Sequence, residues 1–421
     1  MNSFCPNLFN HVMNDSYGVY KACCLHVPEI KDGKVTGITV DQPLESFWNS
    51  KELAEDRVKS IKGEYIKGCD VCYRAEKDGG ASQRTDLVEV YKEDKDFIER
   101  VKSARENKGI LNHSPISVEY RVGNLCNLKC RMCSPQDSDL INNEYKEITS
   151  TLTDNSLINL FPTLKDPVNI DMDQYCNHIK DNVEDIEVIR FSGGEPLINK
   201  SFYELIDFFI ESGHSFNLDL RINTNLTKLN LDLLTKFSKF KDVNIDFSID
   251  GIEETYEYVR YPMRWKVINK KIDMLESFIK NNKTNIKVYA NYTVQTYNLL
   301  HMLDAIDFFL ERNFIPVLHP VTHPQYLNIK NIPDALKENV VSKIYKKIDF
   351  LKLKYADKPS SNINWVVSKL TSIISLIKLD SEKRSINDFI QFTDILDKKR
   401  NQDFLKLDPF IYNHFKSQSI L

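Results

Sequence analysis

The stretch Val243-Asn-Ile-Asp-Phe-Ser-Ile-Asp250 alternates apolar and polar residues without a break. In an extended chain this puts Val243, Ile245, Phe247 and Ile249 on one face and Asn244, Asp246, Ser248 and Asp250 on the other. Leu218-Asp-Leu-Arg-Ile-Asn-Thr224 groups Asp219, Arg221 and Asn223 in the same way, and Val118-Glu-Tyr-Arg-Val122 groups Glu119 and Arg121. Strands are expected at 116–122, 188–192, 218–224, 243–249, 288–294 and 315–319. Between them lie helical patterns at 201–212, 231–240 and 265–279, with apolar residues three and four apart. Alternation of strand and helix implies a parallel sheet with right-handed crossovers. Strands buried on both faces read as continuous apolar sequence, whereas these keep a polar face that must line something wet. The expectation is a curved, partly open α/β barrel with its chemistry at the C-terminal ends of the strands.

The flanking regions differ. A polar stretch at 105–112 places a boundary near Lys108, and from about Gln325 the chain reads as helical, with Pro333 at a first helical position and amphipathic segments at 363–377 and 386–395. Three domains are expected: 1–108, 112–324 and 325–421. The 421 residues carry 56 basic and 60 acidic side chains, a net charge of -4 with no long single-sign block, which argues against a nucleic-acid binder or an anionic-membrane binder. Apolar runs break within about ten residues, short of the ~18–20 needed to span a bilayer, and residues 1–10 lack a basic-then-apolar signal pattern, so a cytoplasmic protein is expected.

Nine cysteines in such a chain point to metal binding or catalysis rather than disulfides. Gly123-Asn-Leu-Cys-Asn-Leu-Lys-Cys-Arg-Met-Cys133 ends the first barrel strand with a C-x3-C-x2-C spacing. Three thiolates from one loop can hold three irons of a cubane cluster and leave the fourth iron open. Zinc would need a fourth ligand nearby, and none is adjacent. Three buried thiols on one helix face would also fit offsets of four and seven, but would be out of place at a strand end.

Cys126, Cys130 and Cys133 together resemble the radical S-adenosylmethionine (SAM) superfamily, and the resemblance runs from Ile116 to about His323. Phe191-Ser-Gly-Gly-Glu-Pro196 looks like that family's GGEP segment. The resemblance implies that Ser192, Gly193, Gly194, Glu195 and Pro196 meet the SAM amino group, with glycines where a side chain would block the ligand. It implies that Asn223 and Asn225, and then Ser248 and Asp250, contact the SAM carboxylate and ribose. Met132, where an aromatic is usual, would pack near the adenine, with Asn291 and Thr293 on the adenine side. The fold so implied is a partial (β/α)6 barrel radical SAM core with a small amino-terminal iron–sulfur domain and a helical carboxy-terminal tail. The activity implied is reductive cleavage of SAM at a [4Fe–4S] cluster, giving a 5′-deoxyadenosyl radical that abstracts a substrate hydrogen. An external one-electron reductant such as flavodoxin or ferredoxin is implied as a partner.

Cys5, Gly18, Cys23 and the pair Cys69-x2-Cys72 are similar in spacing to SPASM and twitch auxiliary-cluster modules, although here they precede the barrel and the downstream C-x2-C-x5-C-x3-C run is absent. The resemblance implies a second [4Fe–4S] cluster on Cys5, Cys23, Cys69 and Cys72; a structural zinc site and unrelated reduced thiols are the alternatives. Cys24 fits the glycine spacing less well and reads as a neighbouring core thiol. Between the halves a hairpin turning at Asp32-Gly33 and a helix over 44–56 are expected.

Other residues tempt. Cys176 and His178 sit in a long insertion and read as incidental surface residues. His319 and His323 read as core or supporting residues, and the aromatic and arginine-rich segment 256–264 either packs over the barrel mouth or touches substrate. The leading substrate class is a peptide or protein, by family analogy; a small metabolite, sugar or nucleotide is the alternative. A non-catalytic iron–sulfur electron-transfer or partner-binding protein is a further reading, against which the GGEP segment and the polar barrel face argue.

Overall fold

The computed structural model describes residues 3–27, 30–31, 34–35, 37–77, 82–164, 172–282, 284–356 and 361–418. Among them, in chain order, lie β1 (His11–Asn14), β2 (Tyr20–Lys21), β3 (Ile30–Lys31), β4 (Lys34–Val35), β5 (Ser117–Arg121), β6 (Val188–Ser192), β7 (Asp219–Thr224), β8 (Asp242–Ser248), β9 (Ile286–Val294) and β10 (Ile315–Pro320). The fold is α/β, with β5 to β10 as the six expected strands and helices between them, among which are Lys200–Glu211, Leu231–Phe237 and Trp265–Asn281. The main sheet runs in the order β10-β9-β8-β7-β6-β5-β1-β2 and is not closed. It is mostly parallel, with β5, β6 and β7 in register and β10 parallel to β9. The alternation holds: Val243, Ile245, Phe247 and Ile249 are fully buried, while Asn244, Asp246 and Ser248 are half-buried.

Two strands of this sheet come from outside the expected barrel. β1 lies parallel on β5, with Met13 opposite Glu119, and β2 returns antiparallel to β1. Val12 and Met13 are buried, and the Asn14 side chain acts as one more rung, accepting from the Arg121 N–H at 2.8 Å and donating to the Arg121 carbonyl at 2.9 Å. Four residues are too few to show a period, so this strand left no pattern to read.

The chain divides into two compact units: Met1–Leu125 with Asp166–Asn223 and Thr235–Val243, and Cys126–Lys165 with Thr224–Leu234 and Asn244–Leu421. The barrel expected over 112–324 contributes to both.

In the first unit the amino-terminal residues close around Leu8, Phe9, Trp48, Leu53, Ile66 and Phe97. Arg57, fully buried, lies 4.3 Å from the Trp48 ring and donates to the carbonyls of Leu8 at 2.7 Å and Gly109 at 2.9 Å. The helix expected over 44–56 is two helices, Leu44–Trp48 and Lys51–Lys62. The break has a cause: Asn49 bonds Leu111 through both its amide atoms, and Ser50 caps the second helix through the Leu53 N–H at 3.2 Å. β3 and β4 pair as the expected hairpin, whose turn residues Asp32 and Gly33 lie outside the described residues. Cys176 is not a surface residue. It is buried on the helix Met172–Asp181 with its Sγ 3.3 Å from the Tyr120 hydroxyl, because Tyr175, Cys176 and Ile179 form the apolar stripe of that helix. His178 contacts the Tyr20 hydroxyl at 3.2 Å.

In the second unit the carboxy-terminal region is helical, including Asp334–Lys354, Ser361–Ile377 and Lys383–Arg400. Leu336, Val340, Ile344 and Leu351 form a buried stripe on the first of these, and Pro333 stands just ahead of it as its N-cap. His319 and His323 are exposed rather than core, since β10 is the open edge of the sheet. No helix among the described residues is long and apolar enough to cross a membrane.

Candidate active site

Cys126, Cys130 and Cys133 follow β5 on an irregular loop, which excludes a common helix face. The Cys126 N–H donates to Asp139 at 3.1 Å, and the Cys133 N–H closes a turn on the Cys130 carbonyl at 3.0 Å. The middle of the loop forms a short ladder with the segment after β8: the Lys129 N–H donates to the Tyr261 carbonyl at 2.7 Å and the Arg131 N–H to the Val259 carbonyl at 3.0 Å. Arg131 is fully buried, 3.7 Å from the Tyr258 ring, ion-paired with Asp397 and bonded to Gln402 at 3.0 Å. Within segment 256–264, Tyr256, Tyr258 and Val259 are buried packing, and the backbone of Val259 and Tyr261 braces the cysteine loop.

Burial pushes the Cys130 and Cys133 thiols up, and at Cys133 the charges of Asp137, Cys130 and Cys126 push further. Cys130 and Cys126 thus both oppose ionisation of Cys133. Among the described residues no three Cys, His, Asp or Glu side chains stand preassembled at ligating distance, here or among the amino-terminal cysteines. Mutually repelling thiolates on a short loop nevertheless fit an iron–sulfur cluster, whose positive irons reverse the repulsion and take the thiols deprotonated.

The GGEP segment is shaped by the chain itself. Gly193 has φ +105° and Gly194 donates its N–H to the Gly123 carbonyl at 2.8 Å, while the Glu195 N–H donates to the Leu125 carbonyl at 2.9 Å. A Cβ on Gly194 would meet the Leu125 oxygen at 2.2 Å and one on Gly193 the Gly123 oxygen at 2.8 Å. The glycines are thus required by close approach to the strand exit leading into Cys126, where a ligand's approach was expected to be the reason. Ser192 bonds Glu119, and Glu195, almost fully buried ahead of Pro196, accepts from the Leu197 N–H at 3.0 Å.

The other expected contacts divide. Asn225 is buried and donates to Asn127, beside Cys126, at 2.9 Å; Asn127 in turn donates to Thr227 at 2.7 Å. It supports the cysteine loop. Asp250 is fully buried, accepting from the Thr293 N–H at 2.6 Å and pairing with Arg260 at 2.7 Å. Its carboxylate is held inside the protein by these two partners. Burial works against the Arg260 charge, but Asp250 and then Cys130 more than offset it and keep the guanidinium protonated. Met132, Asn223, Ser248, Asn291 and Thr293 are half-buried, open enough to meet a ligand.

The four amino-terminal cysteines converge. Gly18, with φ +74°, turns β1 into β2, and Asp15 accepts from the N–H groups of Tyr17 and Val19 within that turn. A Cβ on Gly68 would strike the His26 ring at 2.4 Å, and the Val27 N–H donates to the Gly68 carbonyl at 2.9 Å, so the segment after Cys23 lies against the one carrying Cys69. Arg84 joins the other two: it donates to the Phe4 carbonyl at 2.8 Å, next to Cys5, and forks onto Glu76, one turn beyond Cys72. Burial pushes Cys5 up to about 11 and Cys23 up to about 12, with the charge of Cys72 adding to both and that of Cys5 to Cys23. Burial raises Cys69 too, with Cys5, Cys23 and Cys72 all contributing. Cys24 is exposed, not a core thiol.

Sequence reasoning missed Arg84, Arg131 and Asn127, each of which has a partner far away along the chain. Residues 120–309 match the family model described as the radical SAM superfamily. This region belongs to the radical SAM superfamily. The chain is 26% identical over 200 residues to Fe-coproporphyrin III synthase of Methanosarcina barkeri, covering 47% of this chain and 42% of that one. It is 29% identical over 134 residues to an uncharacterised protein of Methanocaldococcus jannaschii, covering 32% and 38%. The match thus spans less than half the length of each curated relative. Among solved structures, SuiB of Streptococcus suis bound to SAM aligns with TM-score 0.36 and 13% identity over 70% of this chain and 64% of that one. The structure of anSMEcpe with bound AdoMet aligns with TM-score 0.39 and 18% identity over 57% and 58%.

Proposed function

We propose that this protein is a radical SAM enzyme with a catalytic [4Fe–4S] cluster at Cys126, Cys130 and Cys133 and an auxiliary [4Fe–4S] cluster at Cys5, Cys23, Cys69 and Cys72 in an amino-terminal domain of residues 1–108. The observation that carries it is the cysteine loop, braced by Arg131 and the Val259–Tyr261 backbone. When bound, the reduced cluster supplies the electron that splits SAM into methionine and a 5′-deoxyadenosyl radical. The chain's own part is to leave one coordination position open, to present Ser248, Asn291 and Thr293, on the unit that carries the three cysteines, to the ligand, and to keep water and stray hydrogen donors away. The approach of the segments carrying Cys23 and Cys69, and of those carrying Cys5 and Cys72, supports the auxiliary cluster over unrelated thiols; zinc remains the competing occupant.

The substrate is a peptide or protein in this reading, supported by the similarity of the Cys5, Gly18 and Cys23 spacing to SPASM and twitch modules. A second reading, a small-molecule substrate, has its own support in the alignment with Fe-coproporphyrin III synthase. Anaerobic reconstitution, reduction and incubation with SAM test the activity: 5′-deoxyadenosine is expected from the wild type and not from Cys130→Ala. No 5′-deoxyadenosine from an iron-replete wild type would overturn the proposal. Deuterium carried from labelled peptides or labelled metabolites into 5′-deoxyadenosine separates the two substrate classes.

A further inference from the structure

Cys130 and Arg260 stand opposite one another. The bonds from Lys129 to Tyr261 and from Arg131 to Val259 flank them as rungs of an antiparallel ladder, so the register leaves Cys130 facing Arg260. Across that gap the Arg260 Nη1 donates to the Cys130 Sγ at 3.7 Å. The other arm of the guanidinium pairs with Asp250 at 2.7 Å, and Asp250 is tied to the sheet through the Thr293 N–H and, at its carbonyl, through the Asn298 amide at 3.0 Å. Cys130 is 8% exposed, Arg260 7% and Asp250 0%, so water does not screen the contact. Arg260 Nε is buried without a hydrogen-bond partner, donor capacity that the protein does not use.

We propose that Arg260 is a positioning residue that donates a hydrogen bond to the Cys130 thiolate and raises the reduction potential of the radical SAM cluster, with Asp250 fixing its position. Reduction adds an electron to a cluster held by three thiolates. A buried cation at one sulfur stabilises the added negative charge, and hydrogen bonds to cysteine sulfurs are among the levers that set such potentials. Arginine suits the place because one end of its rigid fork can grip a carboxylate while the other donates.

The inference rests on the catalytic cluster proposed above, and its test separates the two. Full-length wild type, Arg260→Gln, Arg260→Lys and Asp250→Asn are reconstituted with iron and titrated reductively without SAM, following by electron paramagnetic resonance the signal that Cys130→Ala lacks. Omitting SAM removes any effect of Arg260 on SAM binding. The midpoint of Arg260→Gln should fall by at least ~59 mV, a tenfold drop in the reduced-to-oxidised ratio at fixed potential. Arg260→Lys should recover at least half of the shift, and Asp250→Asn should move the same way. Iron-replete Arg260→Gln with the wild-type midpoint overturns the inference. So does loss of that cluster from all three variants while their circular dichroism stays native, which would make the pair purely structural. A wild type with no signal dependent on Cys130 would instead overturn the proposed function.

Discussion

Gly194 lies so close to Leu125 that a β-carbon on it would stand 2.2 Å from the Leu125 carbonyl oxygen. The obstacle is backbone, fixed on both sides by the bonds from Gly194 to Gly123 and from Glu195 to Leu125, so it cannot swing aside. Gly194→Ala should displace the strand exit that leads into Cys126 and remove about four irons per chain. Gly123→Ala is the control: its φ is +85° but nothing lies within 4 Å of a β-carbon there, so it should cost only about 1–2 kcal/mol in urea unfolding and keep its iron. Equal iron in wild type and Gly194→Ala would contradict this.

The barrel strands were legible because their alternation is long and their polar face is real: β8 and β9 differ from the expected ranges by at most two residues at either end. Cys126, Cys130 and Cys133 were legible as a candidate site because their close spacing puts all three on the one loop that follows β5. β1 was not, since a four-residue strand is specified by its neighbours, here Asn14 bonding Arg121. Nor was the role of Asp250. Its face was correct, but whether a lumen carboxylate meets ligand or protein depends on Arg260, ten positions on and brought back by a helix turn. The reason for the glycines was also hidden, because close approach between Gly194 and Leu125 is a contact across 69 positions.

Arg131 and Asp397 tie the cysteine loop to the last long helix. Arg131 is fully buried and the Asp397 side chain is 13% exposed, and Asp397 also accepts from the Tyr258 hydroxyl and the Phe404 N–H, both at 2.8 Å. Removing one partner of a buried pair strands the other, at about 3–5 kcal/mol. Arg131→Met should therefore lower unfolding stability by about that much and reduce iron retention. Asp397→Asn should also destabilise, because Oδ1 accepts from Tyr258 and Oδ2 from Phe404, and a single amide oxygen can keep only one of those bonds. Urea unfolding of the two variants decides, and an Arg131→Met chain as stable as wild type would contradict the assignment.

Cys23 and Cys24 are adjacent and should behave oppositely. Cys23 is pushed up to about 12 by burial first and then by Cys5, whereas the Cys24 thiol is exposed and its Sγ lies 3.6 Å from Gln83. Cys23→Ala should lose about four irons per chain if the site holds a cubane, or about one zinc if it holds zinc. Cys24→Ala should lose neither. Metal analysis by mass spectrometry reads both, and a loss with Cys24→Ala but not Cys23→Ala would reassign the fourth ligand.

His11 gives the apoprotein a pH dependence. Burial lowers it from an ordinary 6.5 to about 4, against an opposing pull from Glu119, whose carboxylate lies 4.0 Å away. The folded chain keeps the ring neutral, so between about pH 6.5 and 4 the unfolded chain binds the extra proton. Stability is then full above about 6.5 and falls as the pH drops toward 4, by about 3 kcal/mol from this group alone. His26, lowered to about 4 chiefly by burial, adds in the same direction. Urea unfolding of the apoprotein at pH 7.0 and at pH 4.5 measures the loss, and His11→Gln, which keeps a polar group opposite Ser117 but has no proton to bind, should show a smaller one. An equal loss in His11→Gln and wild type would show that the β1 histidine titrates as freely in the folded chain as in the unfolded one.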